Sequence, residues 1–273
     1  MSFESYYALH YDRFSGADYA SYAAFFTEAA RRFADMELRE ALDLGCGAGG
    51  LSAALAGMGL DVVGLDVSPE MLSVARAKHG NESVLLLCQD MRAFELYGTV
   101  QGAVSAYDCL NYLTGLSELS TVLALLHNYI EPGGVFVFDV NTPYRYEHVY
   151  ADNCFCFEDD GALLVWRNDY APRTRRNRMD LTMLVRRADG LYERFDDVAV
   201  QHCFALSRIE RAAVQAGFAV CGIFGGTDFS VPASDSEKAF FVLKRIWKRR
   251  TQKCVHPQSK EGKSRKWQES YAL

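Results

Sequence analysis

Apolar and polar positions along this 273-residue chain fall into two successive rhythms. Over residues 17–35, ADYASYAAFFTEAARRFAD spaces its apolar residues three and four apart, which predicts a helix with one buried stripe. From residue 41, short continuous apolar runs alternate with helical ones. ALDLG (41–45) reads as a strand ending in glycine, and LSAALAGMG (51–59) as a helix. VVGLDVS (62–68) is a strand. PEMLSVARAKHG (69–80) is a helix capped by Ser68, opened by Pro69 and stopped by Gly80. SVLLLCQDM (83–91) and AVSAYDCL (103–110) are strands, and LSELSTVLALLHNYI (116–130) is a helix. After an EPGG turn (131–134), VFVFDV (135–140) is a fifth strand. Strands that read as unbroken apolar runs between helices predict an α/β fold on a parallel sheet covered on both faces, with right-handed crossovers.

Beyond residue 141 the rhythm changes. ALLVWRNDY (162–170), MDLTMLVRR (179–187) and LYERFDDVAVQHCF (191–204) predict successive antiparallel strands, with Asp189-Gly190 turning between the last two. SRIERAAVQAGF (207–218) is a helix, and AVCGIFGG (219–226) and KAFFVLKRIW (238–247) are strands. The insertion of some sixty residues after the fifth strand, 142–205, is too long for a structureless loop. It predicts a small β-sheet capping the mouth of the main one. The expected organisation is a domain over 1–245, with 1–35 as a helical lid and 142–205 as the cap, followed by a tail over 246–273.

Charge and cysteines narrow the class. Net charge is −6, yet residues 245–273 hold nine Lys/Arg and two Asp/Glu, leaving −13 on the rest. An acidic body argues against wrapping nucleic acid, so only the basic tail keeps RNA as a partner. The eight cysteines form no CxxC pair, and CFC (154–156) has no partner at zinc spacing. They read as reduced thiols of a cytoplasmic protein. No apolar run is long enough to span a membrane, and the N-terminus lacks signal-peptide order. HEXXH, GxSxG and GKS/T motifs are absent, and no metal is expected.

Gly45, Gly47 and Gly50 satisfy GxGxxG between a strand and a helix, and Asp66 ends the next strand. That pair of features alone suits a nicotinamide-dependent oxidoreductase as well as an adenosine-type cofactor. Four features separate the two. Asp43 lies inside the first strand, where it would repel a pyrophosphate and meet a cationic end. Asp90 closes the third strand, EPGG precedes the fifth, and the chain closes on a strand, helix, strand run.

ALDLGCGAGG, VVGLDVSPEML, CQDMRAF, SAYDCLNYL and EPGGVFVFDV resemble, in order and spacing, the class I S-adenosylmethionine-dependent methyltransferases, over roughly residues 1–245. YDRF, DCLNYL and the β-rich insertion look closest to a bacterial subgroup of small methyltransferases related to glycine and sarcosine N-methyltransferases. The resemblance implies a Rossmann-like three-layer sandwich whose seven-stranded sheet is parallel except for its last strand. It implies S-adenosylmethionine as cofactor, with Gly45, Cys46 and Gly47 passing under the methionyl part and Asp43 meeting the ammonium. Asp66 would take the ribose hydroxyls, Val67 and Met71 would flank the adenine, and Asp90 and Met91 would read its edge. Tyr11 would close over the cofactor, and Tyr107 and Asp108 would lie beside the sulfonium.

A sulfonium methyl group is already electrophilic, so the enzyme mainly holds an acceptor in line with it. A base is needed only for a protonated acceptor. Candidates around the acceptor are Tyr6, Tyr7, Tyr107, Asp108, Asn111, Tyr112, Tyr144, Arg167 and His202. The arginines at 173, 175, 176 and 178 read as a solvated turn. A β-sheet over the site favours a small-molecule acceptor. A non-catalytic cofactor-binding module and an RNA methyltransferase working through the tail are the other readings.

Overall fold

The computed structural model describes residues 2–80, 84–159 and 161–247. The predicted tail therefore lies outside the described residues from 248 onward. Two helices, α1 (Phe3–Ser15) and α2 (Tyr19–Phe33), precede β1 (Glu40–Leu44), α3 (Gly50–Gly57), β2 (Asp61–Asp66), α4 (Pro69–His79) and β3 (Val84–Cys88). Then come β4 (Val100–Ser105), a single 3-10 turn (Cys109–Tyr112), α5 (Leu116–Tyr129) and β5 (Ile130–Asn141). A π-helical turn (Arg145–Tyr150) leads into β6 (Cys154–Asp159), β7 (Ala162–Ala171), β8 (Arg176–Arg186) and β9 (Tyr192–His202). The chain closes on α6 (Leu206–Ala216), β10 (Phe218–Phe224) and β11 (Lys238–Arg245).

The main sheet runs β10-β11-β5-β4-β1-β2-β3. β1 to β5 are mutually parallel, and β11 is antiparallel to both β5 and β10. The strand order reverses between β1 and β4, which opens a crevice at their carboxyl ends. Both faces of this sheet are buried, as the unbroken apolar runs predict. In β5, Phe136 and Phe138 pack with Leu123 and Leu126 of α5 and Ile209 of α6, while Val135 and Val137 pack with Phe25 and Phe26 of α2. Ser68 caps α4 through its hydroxyl, which accepts from the Met71 N–H at 3.2 Å.

Antiparallel strands β6 to β9 form a second sheet. Its inner face, with Leu164, Met179, Leu181 and Met183, is covered by Phe3, Phe14, Tyr6 and Tyr7 of α1. The C-terminal half of α1 is tied to both α4 and β6. Asp12 pairs with Lys78 of α4 at 2.9 Å, and Asp159 pairs with Arg13 at 2.7 Å and His10 at 2.8 Å.

The structure departs from the pattern in four places. β4 stops at Ser105 rather than running to 110, because Tyr107 and Asp108 take left-handed backbone conformations. The EPGG segment lies within β5, where a register shift against β4 absorbs the irregular residues. β6 covers the CFC segment, which the pattern left unassigned, and β8 begins at Arg176, so Arg176 and Arg178 are strand residues.

Candidate functional site

The crevice at the switch point is floored by the loop from β1 to α3. Of its four glycines, only Gly47 faces open space. A Cβ on Gly45 would meet the Cys109 Sγ at 2.1 Å and one on Gly50 would meet the Tyr19 ring at 2.2 Å, whereas one on Gly47 finds nothing nearer than Tyr11 Cε1 at 3.9 Å. Gly45 thus admits a neighbouring side chain, and Gly47 leaves room beneath Tyr11. The N-cap of α3, Gly49, has no side chain to bond the first turn, where the Ser52 N–H donates to the Asp43 carboxylate.

Three carboxylates stand at successive strand ends, in three different environments. Asp43 is 1% exposed and accepts from the Ser52 hydroxyl at 2.6 Å. Burial pushes its carboxyl up to about 7, against the Ser52 hydrogen bond. Asp66 accepts from the Gly47 N–H and the Ser68 N–H, both at 2.9 Å, and burial raises it above the usual carboxylate range. Asp90 is instead paired with Arg92 at 2.5 Å, which holds it low. Val67 is 66% exposed beside this crevice, an apolar side chain with no cover. Met71 packs beneath α1 with Ala8, Ala48, Val74 and Tyr11, and Met91 packs on the main core. Cys46 is buried, and its thiol is pushed far above its ordinary range by burial and then by Asp43, so it packs rather than reacts.

The next layer centres on Asp108. Tyr107 (φ 57°) and Asp108 (φ 53°) are consecutive non-glycine residues in the left-handed region, a strain that must be held by the surroundings. The Asp108 N–H donates to Asp139 Oδ2 at 2.9 Å. Lys238 donates to Asp108 Oδ1 at 2.8 Å and Asp139 Oδ2 at 2.6 Å, and Gln201 Nε2 donates to Asp108 Oδ2 at 2.7 Å. The Tyr22 hydroxyl donates to Asp139 Oδ1 at 2.8 Å.

Phenol rings gather around Asp108, whose charge acts on Tyr7, Tyr11, Tyr112 and Tyr150. Burial pushes Tyr7 up to about 12 and Tyr11 and Tyr112 far above their usual value, yet Tyr112 keeps 50% of its surface. Tyr150 belongs to the same group, with the Arg145 guanidinium 4.8 Å from its ring centroid.

Several sequence candidates stand elsewhere. Asn111 is fully buried and bridges backbones, donating to the His202 carbonyl at 2.9 Å and accepting from the Asn141 N–H at 3.0 Å. The His202 ring stacks edge-on to Phe204. Burial lowers its pKa, the nearby Arg176, Arg175 and Arg208 add to this, and in β9 it lies on the face opposite Gln201, which bonds Asp108. Strand alternation turns its neighbour Gln201 inward instead. Tyr6 stacks on Phe195, Tyr144 on His148, and Arg167 is exposed. Sequence reading missed Lys238, Asp139 and Gln201. Their only local signal was a charged or amide residue within an apolar strand.

Among the described residues no three His, Cys, Asp or Glu converge in metal-ligand geometry, and no helix is long and apolar enough to cross a membrane.

Comparison with known proteins gives a consistent picture. Residues 41–134 match the family model of a methyltransferase domain. A protein of Geobacillus sp. (strain WCH70), provisionally named a methyltransferase, is 29% identical over 248 residues, covering 90% of this chain and all of the relative. The fold matches an S-adenosylmethionine-dependent methyltransferase from Clostridium acetobutylicum ATCC 824 with a TM-score of 0.79, at 24% identity, over 88% of this chain and 98% of that one. It also matches S-adenosylmethionine-bound CalS10, an amino pentose methyltransferase from Micromonospora echinaspora, with a TM-score of 0.69, at 25% identity, over 90% and 98%. None of these three is named as a glycine or sarcosine N-methyltransferase.

Proposed function

The chain is a class I S-adenosylmethionine-dependent methyltransferase, and from that premise we propose that it methylates a small molecule through an amine. The nicotinamide reading of the glycine loop falls with the family. The crevice suits S-adenosylmethionine, which supplies an electrophilic methyl group. Asp66 would accept from the ribose hydroxyls, Asp43 would face the ammonium, and the open position at Gly47 would admit the methionyl chain under Tyr11. Val67 would lie flat on the adenine. The Asp90 carboxylate is engaged by Arg92, so the adenine amino group would share it.

The observation that carries the acceptor class is the lack of a free base around Asp108 among the described residues. Both Asp108 oxygens are held, one by Lys238 and one by Gln201. The tyrosines around it are pushed upward and stay neutral phenols. Arg145 and Lys238 are cations. An alcohol would need its proton removed as the new bond forms. A neutral amine attacks with its own lone pair and can shed the proton afterwards. Desolvation among these buried rings favours the uncharged amine. The amino pentose acceptor of the CalS10 relative is of the same chemical kind.

The test is release of S-adenosylhomocysteine from enzyme, S-adenosylmethionine and paired acceptors that differ only in an amine or a hydroxyl. Turnover is expected with amines, rising with pH as the free base accumulates. Turnover of the alcohols alone would overturn the acceptor assignment.

A further inference from the structure

Lys238 opens the last strand, 130 residues after Asp108 and 99 after Asp139. Its ammonium sits between those two carboxylates, with only 21% of the side chain exposed, and lies 5.6 Å from the Tyr107 ring centroid. Burial works against its charge, but the two carboxylates more than offset this and raise it above its ordinary range. Asp139 is fully buried. Two carboxylates in one dry site cannot both stay ionised without a cation between them.

We propose that Lys238 is a positioning residue for methyl transfer, holding Asp108 as a fixed anion on the strained Tyr107–Asp108 turn and denying it the role of proton carrier. The functional half rests on the methyltransferase reading, and the electrostatic half does not. Lys238 ties the turn to Asp139, which also captures the Asp108 N–H and so fixes its backbone. Gln201 completes the grip from β9. The Asp108 carboxylate therefore points one way, set from three strands that meet only in the folded chain.

Asp43, raised to about 7 by burial, acts on Tyr22, Tyr107 and Cys109 and titrates between pH 5 and 9 in the parent as well, so each variant is read against the parent; the remaining shifted groups around the cluster lie outside that range. From α1 and α2, Tyr7, Tyr11 and Tyr22 are all raised by burial. From the β4 turn, Tyr107, Cys109 and Tyr112 are raised in the same way. From the π turn, Tyr146 and Tyr150 stay neutral and Arg145 stays charged. A new titration in this range on changing Lys238 would belong to the carboxylate pair.

The experiment compares Lys238→Met, Lys238→Arg, Asp108→Asn and the double variant Asp108→Asn/Lys238→Met with the parent. Three readouts are used: infrared detection of a protonated carboxyl at pH 7, melting temperature from pH 5 to 9, and calorimetric affinity for S-adenosylhomocysteine. Lys238→Met should show a protonated carboxyl beyond the parent spectrum and should lose melting temperature, relative to the parent, as pH rises. Its affinity should drop tenfold or more, and Lys238→Arg should stay within about threefold of the parent. The double variant, with one carboxylate and no lysine, carries the parent's net charge and should lose the extra band. A Lys238→Met protein with the parent's spectrum, pH profile and affinity would overturn the proposal. If that variant does not fold, the Asp108→Asn background decides. There, removing Lys238 should cost no more than a further threefold in affinity, and a full independent loss would overturn the proposal. A parent that binds no S-adenosylhomocysteine would sink the methyltransferase reading, while infrared and melting data would still judge Lys238.

Discussion

Asp43 shows how one side chain ties stability to ligand. Its carboxyl lies at about 7 in the folded chain against 3.8 for an ordinary aspartate. Between those values the folded state keeps a proton that the unfolded state has released, so stability falls as pH rises through this window. Three units correspond to roughly 4 kcal/mol. The ligand-free protein should therefore melt lower at pH 8 than at pH 5, and Asp43→Asn should flatten that slope. An ammonium beside Asp43 favours the ionised form, so affinity for S-adenosylhomocysteine should rise with pH up to about 7, by at most about tenfold per unit. A pH-independent affinity would remove Asp43 from the ammonium. Asp66→Ala should weaken the same affinity tenfold or more while the fold survives, since each charge-assisted contact is worth about 1.5–3 kcal/mol. Gly45→Ala should lower the melting temperature by several degrees through the Cys109 clash, and Cys109→Ala should recover part of the loss. Parity decides the last residue-scale point. His202 attracted attention by its chemistry, yet in a two-residue repeat it faces opposite to Gln201, and only packing says which side is inward.

At the scale of elements, α1 has two tasks. It covers the apolar inner face of the second sheet and places Tyr7 and Tyr11 over the crevice. A chain lacking residues 2–16 should keep the seven-stranded sheet but expose Leu164, Met179 and Met183, bind hydrophobic dye, and lose acceptor turnover. Unchanged dye binding would mean another segment covers that face. Most elements were legible from periodicity, because strands buried on both faces and amphipathic helices write their packing into local spacing. The end of β4 was not. Its apolar run continues to Leu110, but the Asp108 N–H is captured by Asp139, from a strand formed thirty residues later. β6 was not legible either, since an edge strand alternating exposed and half-buried residues carries little apolar signal.

At the scale of the whole molecule, charge is segregated. Residues 245–273 carry seven positive charges in excess, and the rest of the sequence thirteen negative ones. The described chain is anchored almost to its end, where the Ile246 N–H donates to the Gly217 carbonyl at 3.1 Å. A chain ending at Trp247 should bind S-adenosylhomocysteine as the full chain does and melt within a few degrees of it. A large loss of affinity would place the tail in the site.

By itself, the sequence determined the alternation of strands and helices, the glycine loop, and the carboxylates at Asp43 and Asp66. Each of these depends on neighbours a few residues away, through side-chain period, cap chemistry and turn conformation. Tertiary structure alone decided that Gly47 is the open glycine and that Gln201 rather than His202 faces inward. It also decided that Lys238 neutralises a carboxylate pair distant along the chain. An ion pair is made by proximity in space, and strand order, which brings β11 beside β5, is a property of the closed sheet and not of any segment within it.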